Sequence, residues 1–435
     1  MPAAGTGARQ VSLRRERRPI KRLLKILGPG LITGAADDDP SGVATYAVAG
    51  ASLGYATLWT LLVTLPMMVA AQLMSAKVAQ VTGRGLAGVL RRHYAPSLVL
   101  PAVLGLVVAN TINAGADIGA IAAAINLLVP VPIIVMIAPI AGVILALQII
   151  GTYRQIASVL KWTTLALFAY IAASFLARPD VAAVLRGTLV PAVSLDSKWL
   201  TVLVALLGTT ISPYMWFWQA SQEVEEQIAI GHTRLSQRKN TSEAEVRYAA
   251  WDVNVGMFFS NAVAYFIILG TAATLFKAGH TNLKSAAEAA DALRPLAGDA
   301  ARVLFALGLA GTGFLAVPVL TGSGAYALAE ALGWKAGLNE KPRRARQFYA
   351  IVAASTIVGM MINFVGINPI DALLWTAVIN GFLTPPLLAL LLHVSNNPRV
   401  MGDRVNGVGL NIVGWATALI MTAAAVGLIL TWGKS

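Results

Sequence analysis

Apolar runs of about twenty residues or more, separated by short charged or Pro/Gly-rich breaks, recur along the whole chain. Each is long enough for a helix that crosses a bilayer. Eleven spans are predicted, at approximately 29–53, 56–79, 98–125, 131–150, 155–177, 199–227, 248–276, 301–329, 347–366, 370–393 and 410–432. The pattern implies an all-α polytopic membrane protein. Two of the connecting loops have their own character. The one at about 277–300 shows helical spacing of Ala and Leu with mixed charges and is expected to form an amphipathic surface helix. The other, 229–246, is polar and expected to be mobile.

Composition leaves no room for a large soluble domain. Of 435 residues 57% are apolar and 12% charged, with a mean hydropathy of +0.69, whereas soluble domains are about 25% charged. The net charge of +13 could suggest a nucleic-acid partner, but the basic residues sit in short loops and at the N-terminus, as topology requires. With the N-terminus inside, 25 of the 33 Lys and Arg residues fall on the inner side. This predicts a multi-pass plasma-membrane protein (the inner membrane in a bacterium) with a cytoplasmic N-terminus and the C-terminus outside. The run Arg14-Arg15-Glu16-Arg17-Arg18 looks like a signal n-region, yet Gly28-Pro29-Gly30 and three aspartates interrupt the apolar stretch after it. Residues 1–28 therefore read as a basic cytoplasmic tail. The absence of cysteine excludes disulfides, thiolate metal sites and thiol redox chemistry.

Two spans break the rule that backbone inside a membrane stays helical. The first contains Asp37-Asp38-Asp39-Pro40-Ser41-Gly42, and the sixth contains Gly208-Thr209-Thr210-Ile211-Ser212-Pro213-Tyr214. A charge at that depth costs at least about 2.5–3.5 kcal/mol, so such residues are functional by default. An interior proline frees carbonyls that lipid cannot satisfy, and they are tolerated where they line a cavity. The two prolines lie 173 residues apart, each in the first helix of a five-span half. Matched broken helices of this kind point to an inverted-repeat transporter with a midplane site. The halves would be 29–177 and 199–393, with 410–432 as an additional span.

The chemistry follows from the groups these breaks free. The C-terminal end of each first half-helix exposes carbonyl oxygens at the negative end of its dipole. Asp39, adjacent to the break, adds a carboxylate and is assigned as a ligand. An all-oxygen, negative pocket suits a hard cation such as Mg²⁺, Ca²⁺ or Mn²⁺. Successive residues on a helix diverge by about 100°, so three aspartates cannot all face one point. Asp37 and Asp38 are left with two readings, lining the approach or accepting from freed amides.

At these residues the run GPGLITGAADDDPSGVATYAVAGASLGY resembles the first-helix region of the natural resistance-associated macrophage protein (NRAMP) family of divalent-metal transporters. The resemblance follows the span order over nearly the whole chain. It implies the fold shared with sodium-coupled amino-acid transporters (LeuT-like), with helices 1 and 6 broken. The metal ion is then the transported substrate, and no cofactor and no obligate protein partner are implied. By the family's Asp-Pro-Gly-Asn motif, Asp39 matches the metal-binding aspartate and Gly42 stands in place of the asparagine. By its Ala-x-x-Met-Pro-His stretch, Thr209 stands at the alanine, Ser212 at the methionine and Tyr214 at the histidine. Loss of the soft methionine sulfur leaves oxygen-only chemistry and a wider pocket, suited to a partly hydrated Mg²⁺. The same Asp-Pro-Ser-Gly and Ile-Ser-Pro-Tyr elements are similar to the NRAMP-related magnesium transporter branch.

Two further residues are implied by the resemblance. Asp117 matches the family's span-three glutamate, while Ala114 replaces the acidic residue beside it. Asp117 either accepts from water on the ion or pairs within its helix. Asn380 matches a glutamine that approaches the metal, and is equally suited to helix packing. The family's proton route uses the span-six histidine and basic residues on span nine. Here the first is Tyr214 and span nine, 347–366, has no basic residue. Passive, electrogenic uptake of Mg²⁺, with Mn²⁺ beside it, is therefore expected. Glu223, Glu225 and Glu226 read as a solvated helix end with basic partners or as an exit vestibule, and Asp252 similarly or as a gate.

Three other readings fit part of the pattern. A proton-coupled Mn²⁺/Fe²⁺ importer would resemble most of the family. An intramembrane aspartyl enzyme needs two carboxylates meeting from different helices, for which Asp39 and Asp117 are the available pair, but leaves the second broken helix unexplained. A sodium-coupled amino-acid symporter would bring a substrate carboxylate against Asp39.

Overall fold

The computed structural model describes residues 29–151, 169–229, 231–239, 241–292 and 298–431. The described chain is helical: α1 (Pro29–Asp37), α2 (Pro40–Leu53), α3 (Leu58–Thr82), α4 (Leu86–His93), α5 (Pro96–Asn126), α6 (Ile133–Ile150), α7 (Ala169–Leu176) and α8 (Val181–Leu189) precede α9 (Ser197–Thr210) and α10 (Pro213–Ala229). Then come α11 (Glu243–Thr271), α12 (Ala286–Asp291), α13 (Ala301–Leu332), α14 (Arg346–Ile362), α15 (Pro369–Ser395) and α16 (Val408–Thr431). Among the described residues nine helical segments are long and apolar enough to cross a membrane. One of them, Pro40–Thr82, carries α2 and α3 joined by the 3₁₀ turn Gly54–Thr57.

The two expected breaks are present. Pro40 and Pro213 each stand at the first position of a half-helix, where the missing N–H costs nothing. The residue before a proline is pushed out of the helical region, and Asp39 accordingly sits at φ −66, ψ 167. On the other side Ile211 leaves the helix at φ −121, ψ 46.

Packing brings both breaks to the middle of the bundle. Helix α11 runs along α1, α2 and α3, α9 lies against α15, and α5 lies between α13, α14 and α15. In lipid, close approach of small residues replaces the hydrophobic drive between helices. A Cβ on Gly34 would stand 2.4 Å from the Gly256 carbonyl oxygen, and one on Gly208 would stand 2.1 Å from that of Ala377. Gly208→Ala is therefore expected to destabilise the fold by about 1–3 kcal/mol, read as a lower unfolding midpoint in detergent. Gly142→Ala, whose Cβ would meet nothing within 4 Å inside α6, should hold or slightly raise the midpoint.

Some connecting segments differ from expectation, and others lie outside the described residues. Residues 1–28 and most of the fifth span, 155–177, lie outside the described residues; of that span α7 is seen. The 277–300 loop does not lie on the surface as one amphipathic helix. It holds the six-residue α12, with Leu283, Ala286, Ala289 and Ala290 buried in the core. Its small alanines make little amphipathic contrast but fit tightly between longer helices. Within 229–246 the structure places a one-turn helix at Leu235–Arg238 and a capping box in which Ser242 and Glu245 exchange hydrogen bonds. Helix α4, in a segment the apolar runs leave as a loop, buries Leu86, Ala87, Val89 and Leu90 and places Arg91, Arg92 and His93 at its negative end.

Candidate metal site

Asp39 is held from two sides. Its Oδ1 accepts from the Gly42 amide at 2.6 Å, capping α2, and its Oδ2 accepts from Asn113 Nδ2 of α5 at 3.2 Å. The N-terminus of α2, which could otherwise receive an anion, is thus filled by the chain's own carboxylate. Of the carbonyls released at the end of α1, that of Ala36 accepts from the Tyr214 hydroxyl at 3.1 Å. This bond ties the first break to α10.

The second break meets the first at Gly42. A methyl group built there would stand 3.1 Å from the Asp37 carbonyl oxygen, 3.2 Å from the Thr209 hydroxyl and 3.3 Å from Asp39 Oδ1. Three oxygens from three residues thus converge where most residue types would place carbon. Ser212 takes a different part. Its hydroxyl donates to the Gly208 carbonyl at 2.6 Å and to that of Thr209 at 3.0 Å. The Ile211 carbonyl accepts from Thr384 at 3.2 Å. The Gly208, Thr209 and Ile211 carbonyls at the sixth-span break thus each accept a side-chain hydrogen bond, with a second lone pair remaining on each oxygen.

Around this point lie buried polar atoms without protein partners. Asp117, one turn after Asn113 on α5, turns its carboxylate toward the Ser41 amide without completing a hydrogen bond and lies within electrostatic reach of Asp39. The Tyr46 hydroxyl, one turn after Gly42, turns toward Thr209 without completing a hydrogen bond. The Oδ1 atoms of Asn113 and Asn380 are likewise buried and unbonded. On α15, Thr376 contacts Ser41 at 3.0 Å and Thr384 reaches Ile211. Asn380 is one turn from each, on the face that touches both breaks. Buried polar atoms left this way are ordinarily satisfied by water or an ion.

Other acidic residues are placed elsewhere. Asp37 and Asp38 both accept from the Ser260 hydroxyl of α11, the latter at 3.4 Å, so their side chains face α11 rather than freed amides. Asp252 accepts from the Gly30 amide at 2.6 Å and caps α1. Glu223 accepts from Gln80 at 3.0 Å and Gln219 at 2.9 Å, and Glu225 from Tyr326 at 3.1 Å and Asn339 at 2.9 Å. Both glutamates are buried rather than solvated, and Arg238 lies within electrostatic reach of Glu225. Among the described residues no three His, Cys, Asp or Glu side chains form a metal-holding group. The arrangement has one central carboxylate with hydroxyl and carbonyl oxygens, a loose set of hard donors suited to an ion that comes and goes. Asn113 and Tyr46 escape sequence reading, although each stands one helical turn from a candidate residue.

The sequence pattern of the natural resistance-associated macrophage protein-like (Nramp) family matches residues 30–431. The chain belongs to the Nramp family. This Nramp chain is 28% identical to the divalent metal cation transporter MntH of Bacillus subtilis over 418 residues, covering 95% of the chain and 93% of the relative. In structure it is similar to a manganese transporter of Eremococcus coleocola crystallised with an aromatic bis-isothiourea substituted compound. That likeness has a TM-score of 0.74 at 20% identity, over 96% of this chain and 88% of that one. Mhp1, a nucleobase-cation-symport-1 family transporter in a closed conformation with bromovinylhydantoin bound, gives 0.55 at 14% identity, over 94% of each chain. The Nramp chain therefore has the LeuT-like fold with broken helices 1 and 6, and it is a transporter rather than an enzyme.

Proposed function

We propose that this Nramp chain takes up Mg²⁺, and Mn²⁺ with it, across the plasma membrane by alternating access and without proton coupling. The convergence at Gly42 of the Asp37 carbonyl, the Thr209 hydroxyl and the Asp39 carboxylate carries the reading. All three are hard oxygen donors, and the unbonded Asp117, Asn380, Asn113 and Tyr46 atoms around them suit water retained on the ion. The proposed ligand is Asp39, with Gly42 giving room and Thr209 an oxygen. Asp117 and Asn380 hold the hydration shell, and Ser212 occupies the place where the family's soft ligand would stand. The two moving halves would be 29–177 and 199–393, with 410–432 outside the repeat. The charge distribution supports a cytoplasmic N-terminus and an outer C-terminus.

A proton-coupled manganese importer is the second reading, favoured by the names of the relatives in Bacillus subtilis and Eremococcus coleocola. Flux of Mg²⁺ and Mn²⁺ into vesicles of purified protein separates the two. Wild type is expected to carry both ions. In Ser212→Met the added thioether should raise the Mn²⁺/Mg²⁺ uptake ratio on the order of tenfold, the equivalent of about 1.4 kcal/mol. Ser212→Ala should leave the ratio near wild type, separating the sulfur from the lost hydroxyl. Mn²⁺ uptake with no Mg²⁺ uptake in wild type would overturn the assignment.

A further inference from the structure

Most of the basic residues are explained by topology, but one group of them forms a cavity. At the end of the bundle assigned to the cytoplasm, Arg84, Arg92, Lys239, Arg399 and Arg404 line a pocket of about 580 Å³. They come from four stretches of chain: the turn after α3, the end of α4, the 229–246 segment, and the loop between α15 and α16. Asp403 is the one acidic residue lining it. None of the five cations has an ion pair among the described residues. Arg404 instead donates to the Thr241 carbonyl at 2.6 Å, which fixes the loop against the 229–246 segment. Burial, and then the nearby Arg92 and Arg238, push the half-buried Arg84 guanidinium below its usual pKa, with Glu330 opposing them. Five cations against the single carboxylate of Asp403 leave the cavity lining with a net positive charge. The walls are partly apolar, through Val89 and Met401, and the volume suits a small ligand.

We propose that this cavity binds a phosphate-bearing anion, presented as a lipid headgroup or as free phosphate or nucleotide in the cytosol. Guanidinium groups pair with phosphate oxygens through two parallel hydrogen bonds, and several of them facing one space favour phosphate over a single carboxylate. Basic pockets at the cytoplasmic ends of spanning helices hold anionic headgroups on the same principle.

The test is the unfolding midpoint of the purified full chain in neutral detergent. It is titrated with phosphatidylglycerol, with ATP or with inorganic phosphate. Three proteins are compared: wild type, the pocket double variant Arg92→Ala/Arg399→Ala, and a control double variant, Arg343→Ala/Arg344→Ala. The control removes the same charge from an exposed segment on the same side. Each surface cation contributes about fivefold to anion binding, so the pocket variant should need roughly twenty-five times more anion for the same shift. The control should respond like wild type. A response to phosphatidylglycerol alone identifies the headgroup as the source, and a response to ATP or phosphate identifies the soluble anion. No shift in wild type, or equal responses from pocket and control variants, overturns the proposal.

Discussion

Asp39→Asn is expected to fold like wild type and to lose metal uptake, by about thirtyfold or more. The residue does two things that this substitution separates. Its carboxylate caps α2 through the Gly42 amide, and asparagine caps a helix about as well as aspartate. It also brings the central negative charge to the oxygens around Gly42. Removing one partner of a buried charge interaction costs roughly 2–5 kcal/mol, which sets the expected loss. Asp39→Ala should lose transport equally and stability as well, by about 0.5–2 kcal/mol for the missing cap. The measurement is Mg²⁺ and Mn²⁺ flux into vesicles beside an unfolding midpoint. Near-normal flux through Asp39→Asn would remove Asp39 from the site.

The second large effect concerns the driving force. Uptake should track membrane potential and leave internal pH unchanged. An inside-negative potential drives a divalent ion with about 4.6 kcal/mol per 100 mV, twice the value for one charge. That supports a gradient on the order of a thousandfold without any proton. The physical reason lies at Tyr214, which stands where the family resemblance places histidine. Its hydroxyl is committed to the Ala36 carbonyl at 3.1 Å, a link between half-helices. The check is a pH-sensitive dye inside vesicles during uptake under a potassium diffusion potential. Acidification matching metal entry, or uptake indifferent to voltage, would sink uncoupled transport and favour the proton-coupled reading.

Both breaks were legible because proline and carboxylate are conspicuous in an apolar run; their positions pointed to an inverted repeat, and the family resemblance supplied the particular fold. The ligand region was legible in part. Asp39, assigned from its place beside the break, comes together with Gly42 and Thr209, which the family resemblance had implied. The rest depends on contacts between helices far apart in sequence. Asn113 meets Asp39 across 74 positions, and Ser260 meets Asp37 across 223. Glu223 and Glu225 looked like solvated charges because their amide and phenol partners, Gln80, Asn339 and Tyr326, carry no charge to announce the pairing. The cations around the cavity beside α4 had the opposite difficulty. Topology already accounted for them one by one, and their convergence is a property of the folded chain.

The anchoring of Asp39 has a consequence for how such a protein can be altered. Because the Gly42 amide and Asn113 hold the carboxylate, an ion bound as proposed would meet a ligand already aimed, and little ordering entropy would be lost on binding. Gly42 contributes to that anchor through its backbone, while its missing side chain sets the room beside it. Cargo and framework are thus largely separable variables. Residues that border the ion can be exchanged while the clamp that positions the charge stays as it is, and a new selectivity need not begin with a new architecture.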